Sequence, residues 1–471
     1  MRQTKVYSIL RQFSRIEQNR CRKYLQSPYF NKSETIVDLF ELIIDDLQSP
    51  KGEEWEKEAV WHALGLGANF DDVRLRKYFS DLQKLVEGYL SQQIYDERAV
   101  QQYENLMEAI SVKKLEGLDT SVNRKARKAL DKNQHRSSRY YLDHYLIDKQ
   151  FYNLTQFDTK RSVRSNIDQM AENLDHFYLI EKLRFHTTVL MQKRIVNYDY
   201  SLSLMDELVA YAKSEADRLP RNIKIFLRIL DIYQDPENID IYYAYKAELE
   251  NIQDLFPPDE LIEIYSFGTN YCIQKINRGQ SQFLNELFEL YEKLIDMEVL
   301  FNKELSPWLF RNEVVVALRL GYYDWTENFI KKYAQWIPEA YRENAITFNL
   351  ATLYFYKKDY DEVIKQLRYV EYEDISYNLN SKTILLHTYY EKDEIESLYA
   401  LFESFRVYLN RKKAISEDRK LNYKNLIKYT KKLTKFTPGM DKELEKLKKE
   451  IQENQYLASK KWLLEKDEEL L

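Results

Sequence analysis

The chain has 471 residues, of which only 9 are glycine and 9 proline, near 2% each, where average usage is roughly 7% and 5%. Sandwiches, barrels and propellers need a turn residue every ten positions or so, and doubly wound α/β folds need glycine-rich phosphate loops, so this composition excludes them and points to an all-α chain. Acids exceed bases by 76 to 71, a formal charge of −5, and two cysteines, Cys21 and Cys272, rule out a disulfide framework or a four-cysteine zinc site.

Neither residues 1–13 nor any later stretch holds an apolar run of signal-peptide or membrane-span length. The expected setting is therefore a reducing cytoplasm, with no membrane contact and no cofactor.

In chain order, residues 1–100 read as an N-terminal helical domain. Ile36, Val37, Phe40, Ile43, Ile44 and Leu47 recur at helical spacing after a start signal at Asn31 or Ser33. A second helix carries Trp55, Ala59, Val60 and Leu64 and closes at Gly65 and Gly67. A third, capped by Asp71 or Asp72, places Leu75, Tyr78, Phe79, Leu82, Leu85, Val86 and Leu90 on one face. This pair reads as an ordinary αα-hairpin rather than a DNA-reading helix-turn-helix, because Arg74, Arg76, Lys77 and Lys84 are balanced by Asp71, Asp72, Asp81 and Glu87.

Residues 101–134 form a basic helical connector, and 135–435 read as repeated helical hairpins. Helical periodicity continues from Phe177 to Val196. Pro257-Pro258 opens a helix through Ile262, Tyr265 and Tyr271 that Gly279 breaks, and Phe283, Leu287, Leu290, Tyr291 and Leu294 form its return. Ser306-Pro307 starts the helix carrying Trp308, Phe310 and Val314. In the stretch from Asn349 to Ile364, Leu350 and Ala351 take the Leu-Gly places, Tyr354 the tyrosine place, and Tyr360 and Val363 the aromatic and alanine places of a second helix; this stretch resembles a tetratricopeptide repeat. The usual repeat-end proline is replaced by Ile375. Aligning neighbours on the turn aromatic gives Tyr323 before Tyr360 and Ile395 after it, steps of 37 and 35 against a family period of about 34. The block Ser27-Pro28-Tyr29-Phe30-Asn31-Lys32, with Leu75-Arg76, Ser80-Asp81-Leu82 and the run from Tyr271 to Asn277, also resembles a family of helical proteins of Bacteroidetes, a resemblance that carries no activity. After a break at Thr437-Pro438-Gly439, residues 436–471 read as a C-terminal capping helix with an apolar stripe of Leu444, Leu447, Ile451, Ala458 and Trp462.

The fold expected is thus a right-handed α-α solenoid of tetratricopeptide-like hairpins between an N-terminal helical domain and a C-terminal cap. The resemblance implies that the first helix of each hairpin lines a concave groove, which places Trp308, Arg311, Arg319, Phe348, Thr352, Tyr356, Asn380, His387 and Glu391 as the contacts for a peptide or helix of a protein partner. Non-enzymatic scaffolding is the function expected. The rival is nucleic-acid binding, because charge is segmented: residues 113–139 carry nine bases and three acids, 406–435 eleven and two, and 231–263 one and ten. Lys420, Lys424, Lys428, Lys432 and Lys435 fall on one helical face as a candidate contact for an anionic surface. No catalytic or metal-binding motif stands out. Arg139 and His144 have the Arg-x4-His spacing that resembles the motif of helical ribonucleases, a spacing chance alone supplies about once in a chain with this many arginines. Gly65-Leu66-Gly67 lacks the third glycine of a dinucleotide loop, and none of the six histidines has another within five residues.

Overall fold

The computed structural model describes residues 1–48, 55–115, 117–154, 166–193, 200–367, 375–436 and 440–470. The expected break at Thr437-Pro438-Gly439, and Val196 at the end of one expected helical stretch, lie outside the described residues. Among the described residues there are 23 α-helices and no strand, and the chain divides into two compact units. The first comprises residues 1–234 with 254–256, and the second residues 235–253 with 257–471.

In the first unit, α1 (Lys5–Leu10), α2 (Arg15–Leu25), α3 (Glu34–Gln48), α4 (Lys57–Ala63) and α5 (Asp72–Glu97) enclose one core around Leu10, Cys21, Leu39, Phe40, Ile43, Leu82 and Val86. Their starts follow the sequence signals. Ser14 and Glu17 form a reciprocal capping box on α2, and the Asp71 carboxylate accepts from the backbone N–H groups of Val73 and Arg74 at α5. Gly65 and Gly67 both hold positive φ in the turn after α4, a conformation that L side chains adopt only at a cost. Leu90 departs from its expected place: it is exposed, because the buried face of α5 ends with Val86 and Tyr89. The α4–α5 charges pair among themselves, with Lys57 and Arg76 both on Asp72 and Lys84 on Asp81.

Next come α6 (Ala99–Lys113), α7 (Asp119–Leu130), α8 (Ser138–Leu154), α9 (Ile167–Lys193), α10 (Met205–Ser214) and α11 (Arg221–Gln234). The first three share a small core of Met107, Ile110, Val122, Ala126, Leu130 and Ile147. Beside it Asp148 is fully buried and pairs with Arg127.

The second unit runs through α12 (Ile239–Asn251), α13 (Pro258–Asn277), α14 (Phe283–Met297), α15 (Pro307–Arg319), α16 (Tyr323–Tyr333), α17 (Glu339–Tyr356), α18 (Tyr360–Leu367), α19 (Ile375–Glu391), α20 (Ile395–Arg411), α21 (Glu417–Leu433), α22 (Asp441–Glu453) and α23 (Lys460–Glu469). Four hairpins, α13/α14, α15/α16, α17/α18 and α19/α20, close with one turn geometry. In each, a residue with positive φ follows the first helix: Gly279, Gly321, Lys358 and Asp393. In each, the next N–H reaches back to a carbonyl of the last helical turn, Gln280 to Lys275, Tyr322 to Ala317, Asp359 to Tyr354 and Glu394 to Tyr389, at 2.9 to 3.0 Å. This is the left-handed helix stop that satisfies otherwise orphaned carbonyls. The aligned residues Phe283, Tyr323, Tyr360 and Ile395 each open the second helix. Successive helices pack in series, and the first helices also touch one another, α15 on α17 and α17 on α19.

The C-terminal segment contains two helices rather than one. The chain leaves α22 at Asn454 and turns through Ser459, at positive φ, before α23. Leu447, Ile451 and Leu463 join the core of α17 to α21, with Trp462 packed against it.

Candidate functional site

The expected groove is largely filled by the chain itself. Phe348 is only 2% exposed and Thr352 7%, because Phe348 lies edge-on to Tyr377 at 5.0 Å between ring centres and under the Arg311 guanidinium at 5.4 Å. The reason is that α15, α17 and α19 meet along this line, so positions expected to face a ligand face the neighbouring helix instead. His387 is 9% exposed and stacks on Trp462 of α23, centre to centre 4.0 Å. Burial pushes its pKa down to about 3, keeping the ring neutral. Glu391 accepts from the Trp462 indole Nε1–H at 3.1 Å and pairs with Lys466 at 2.8 Å. Phe348, Thr352, His387 and Glu391 are therefore corrected from groove contacts to interior or internally paired residues. What stays open is a rim. Trp308 is 46% exposed, Arg319 is exposed and without an ion pair to a described residue, Tyr356 is 37% exposed, and Arg311 and Asn380 are half-buried.

The lysine stripe on α21 is partly neutralised. Lys420 pairs with Glu417 at 2.7 Å and Lys432 with Glu450 of α22 at 2.5 Å, while Lys428 lies over the Tyr429 ring. Lys424 and Lys435 are exposed. Nor do Arg139 and His144 converge. Arg139 is held by Asp143, 2.7 Å away, whereas His144 packs on the Tyr140 ring with its pKa lowered by burial and its Nε2 buried without a hydrogen bond. Five residues apart on one helix, they point about 140° from each other. Both cysteines are fully buried and desolvation raises their thiols to about 12, so neither is a thiolate nucleophile at neutral pH. Among the described residues no group of three or more His, Cys, Asp or Glu could hold a metal ion, and no helix is long and apolar enough to cross a membrane.

The other basic segment is arranged differently. In the first unit a cleft of about 510 Å³ opens between the start of α6, one edge of α7 and the first turn of α8. Arg98, Lys125, Lys128, Lys132 and Arg139 line it, with Glu97 and Asp143 as its acids. Arg139 is committed to Asp143; the other four bases make no ion pair with a described residue. A second depression, about 810 Å³ beside α1 to α3, carries Arg2, Arg11 and Arg15. There Arg2 makes two 2.9 Å bonds to Asp46, whose carboxylate also accepts from the Tyr7 hydroxyl at 2.7 Å.

Two features escape sequence reasoning. Arg98 joins the basic segment only through the α5–α6 turn, and no local signal marks it. Glu313 is fully buried with neither oxygen hydrogen-bonded. Its signal was present, since it lies between Phe310 and Ala317 at interior helical spacing. No family model, curated protein or solved structure matches the chain, so the residues resembling a Bacteroidetes family gain no support from comparison.

Proposed function

We propose that the second unit is a right-handed α-α solenoid that works as a non-enzymatic interaction platform for a protein partner in the cytoplasm. Its contact surface is the rim of the first helices: Trp308, Arg311 and Arg319 on α15, Tyr356 on α17 and Asn380 on α19. The observation carrying this reading is that consecutive, identically turned hairpins leave two large aromatics, and a cation with no ion pair to a described residue, uncovered on first-helix positions. Stacked repeats bury themselves only on their neighbours and offer extended surfaces to partners. Aromatic and arginine side chains are the residue types that dominate such contacts. A partner segment of matching chemistry presents apolar side chains to Trp308 and Tyr356 and a carboxylate to Arg319.

The test is affinity purification of the tagged chain from its own host, in parallel with a Trp308→Ala/Arg319→Glu/Tyr356→Ala variant. A stoichiometric protein partner recovered by the parent and lost by the variant, with melting temperatures within a few degrees, supports the reading. Equal recovery by both overturns it. So does a collapse of the variant's melting temperature, which would make these residues part of the core.

A further inference from the structure

We propose that the cleft between α6, α7 and α8 binds a ligand carrying a run of two or more phosphate groups. The site lies wholly in the first unit and does not rest on the platform reading of the second.

Three observations converge. The first is space: about 510 Å³, within the range of small-ligand sites and ample for a chain of phosphates. The second is charge. Five bases face two acids, and while Arg139 is neutralised by Asp143, the cations of Arg98, Lys125, Lys128 and Lys132 form no ion pair with any described carboxylate. Some bases elsewhere are neutralised across helices, as Lys246 is by Glu286 and Glu289, Lys432 by Glu450 and Lys466 by Glu391. What sets the cleft apart is that four cations with no ion pair to a described carboxylate gather around one concavity, which concentrates positive potential there.

The third is spacing. Lys125, Lys128 and Lys132 stand three and four residues apart along one edge of α7 and its exit, so the row extends over about 10 Å at 1.5 Å per residue. A row of that length exceeds one phosphate group and matches a succession of them. Arg98 stands on another wall, and its guanidinium fork suits phosphate oxygens. The start of α6 adds to the field: Ala99, Val100 and Gln101 of its first turn line the cleft, with no side-chain cap and no acid in that turn.

Free polyphosphates, nucleoside triphosphates and single-stranded RNA share this chemistry, and the experiment separates them. Full-length protein is titrated with sodium tripolyphosphate, with a nucleoside triphosphate and with a single-stranded RNA dodecamer of mixed sequence, each at 50 and 200 mM salt. The parent is compared with Lys128→Glu/Lys132→Glu and, as a control for charge alone, with Lys23→Glu/Lys293→Glu, which lie outside both basic segments. All four substituted lysines are exposed, so the fold is retained, and a thermal melt checks this.

The expected result is that at least one probe binds and that the cleft variant binds it at least tenfold more weakly, while the control stays within about twofold. If RNA is the source, it binds tighter than tripolyphosphate, and its log K against log salt slope falls by about 1.4 in the cleft variant, about 0.7 for each phosphate the missing lysines no longer neutralise. If a free polyphosphate or nucleotide is the source, RNA binds no tighter than tripolyphosphate. Absence of binding by all three probes at 50 mM salt overturns the proposal. Equal weakening in the cleft and control variants overturns it too, because it would make the effect one of net charge.

Discussion

Glu313 on α15 is a buried carboxyl whose ionisation the fold opposes. Its side chain is 0% exposed and neither carboxyl oxygen has a hydrogen-bond donor. Desolvation, with a smaller push from the Glu292 carboxylate, raises its pKa to about 9. In the unfolded chain the same group titrates near 4.3. Below about pH 4.3 both states hold the proton and the group costs nothing on that account. Between there and pH 9 the unfolded state gives up the proton and the folded state keeps it, so stability falls as pH rises, by about 1.4 kcal/mol per unit. From pH 5.5 to 8.0 the loss is about 3 kcal/mol.

Glu313→Gln keeps the shape and removes the titration. The gap between variant and parent should therefore widen with pH in the variant's favour, by about 3 kcal/mol from pH 5.5 to 8.0. For a unit of this size that corresponds to roughly 6 to 12 °C in melting temperature. Differential scanning calorimetry of both proteins across this range reads the gap directly, and taking the difference cancels every other titrating group. A gap that does not change with pH would refute the reasoning, since it would mean that Glu313 is ionised in the fold or finds a donor there.

His387 acts with the opposite sign. Its folded pKa is depressed to about 3 against roughly 6.5 unfolded, so its contribution is intact above pH 6.5 and is lost as pH falls toward 3. Between pH 6.5 and 5 the parent should lose about 2 kcal/mol that His387→Gln does not lose, measurable by urea melts at the two pH values. Lys358 holds φ +59° at the position where two sister hairpins have glycine. Lys358→Gly should stabilise by about 0.5 to 1 kcal/mol, while Gly321→Ala should destabilise by a similar amount, both read as shifts of the denaturation midpoint. Gly268 lies inside α13, where an added Cβ would stand 3.0 Å from the Tyr245 ring and 3.1 Å from Leu290. Tyr245 is tethered by its hydroxyl to the Ile264 carbonyl at 2.6 Å and has little room to give. Gly268→Val should cost about 2 kcal/mol or more, and a melting temperature within 1 °C of the parent would contradict this packing.

Much of the local structure was legible because it depends on near neighbours. The starts of α5 and α13 follow Asp71 and Pro257-Pro258, and a helix start depends on which side chain or proline is present at one or two positions. The register of the hairpins was legible from Tyr323, Tyr360 and Ile395 for the same reason: a turn of fixed length sets where the second helix begins. The break before Ser459 was not, because an apolar stripe at helical spacing reads the same whether one helix carries it or two.

The candidate sites divide in the same way. Amino-acid order alone determined that the regular structure of the described residues is helical, where the hairpins turn, and that residues 113–139 and 406–435 are basic. Only tertiary packing decided what those features face. The helical stripe that places Phe348 and His387 beside Trp308 and Tyr356 does not say which of them another helix will cover; Tyr377 and Trp462 cover the first two. Two basic segments of similar composition came to differ because α22 brings Glu450 to one, whereas the α5–α6 turn brings Arg98, another cation, to the other. Charge along a chain is local, but its neutralisation depends on which distant residues the fold brings within about 4 Å, and that distance is settled by packing.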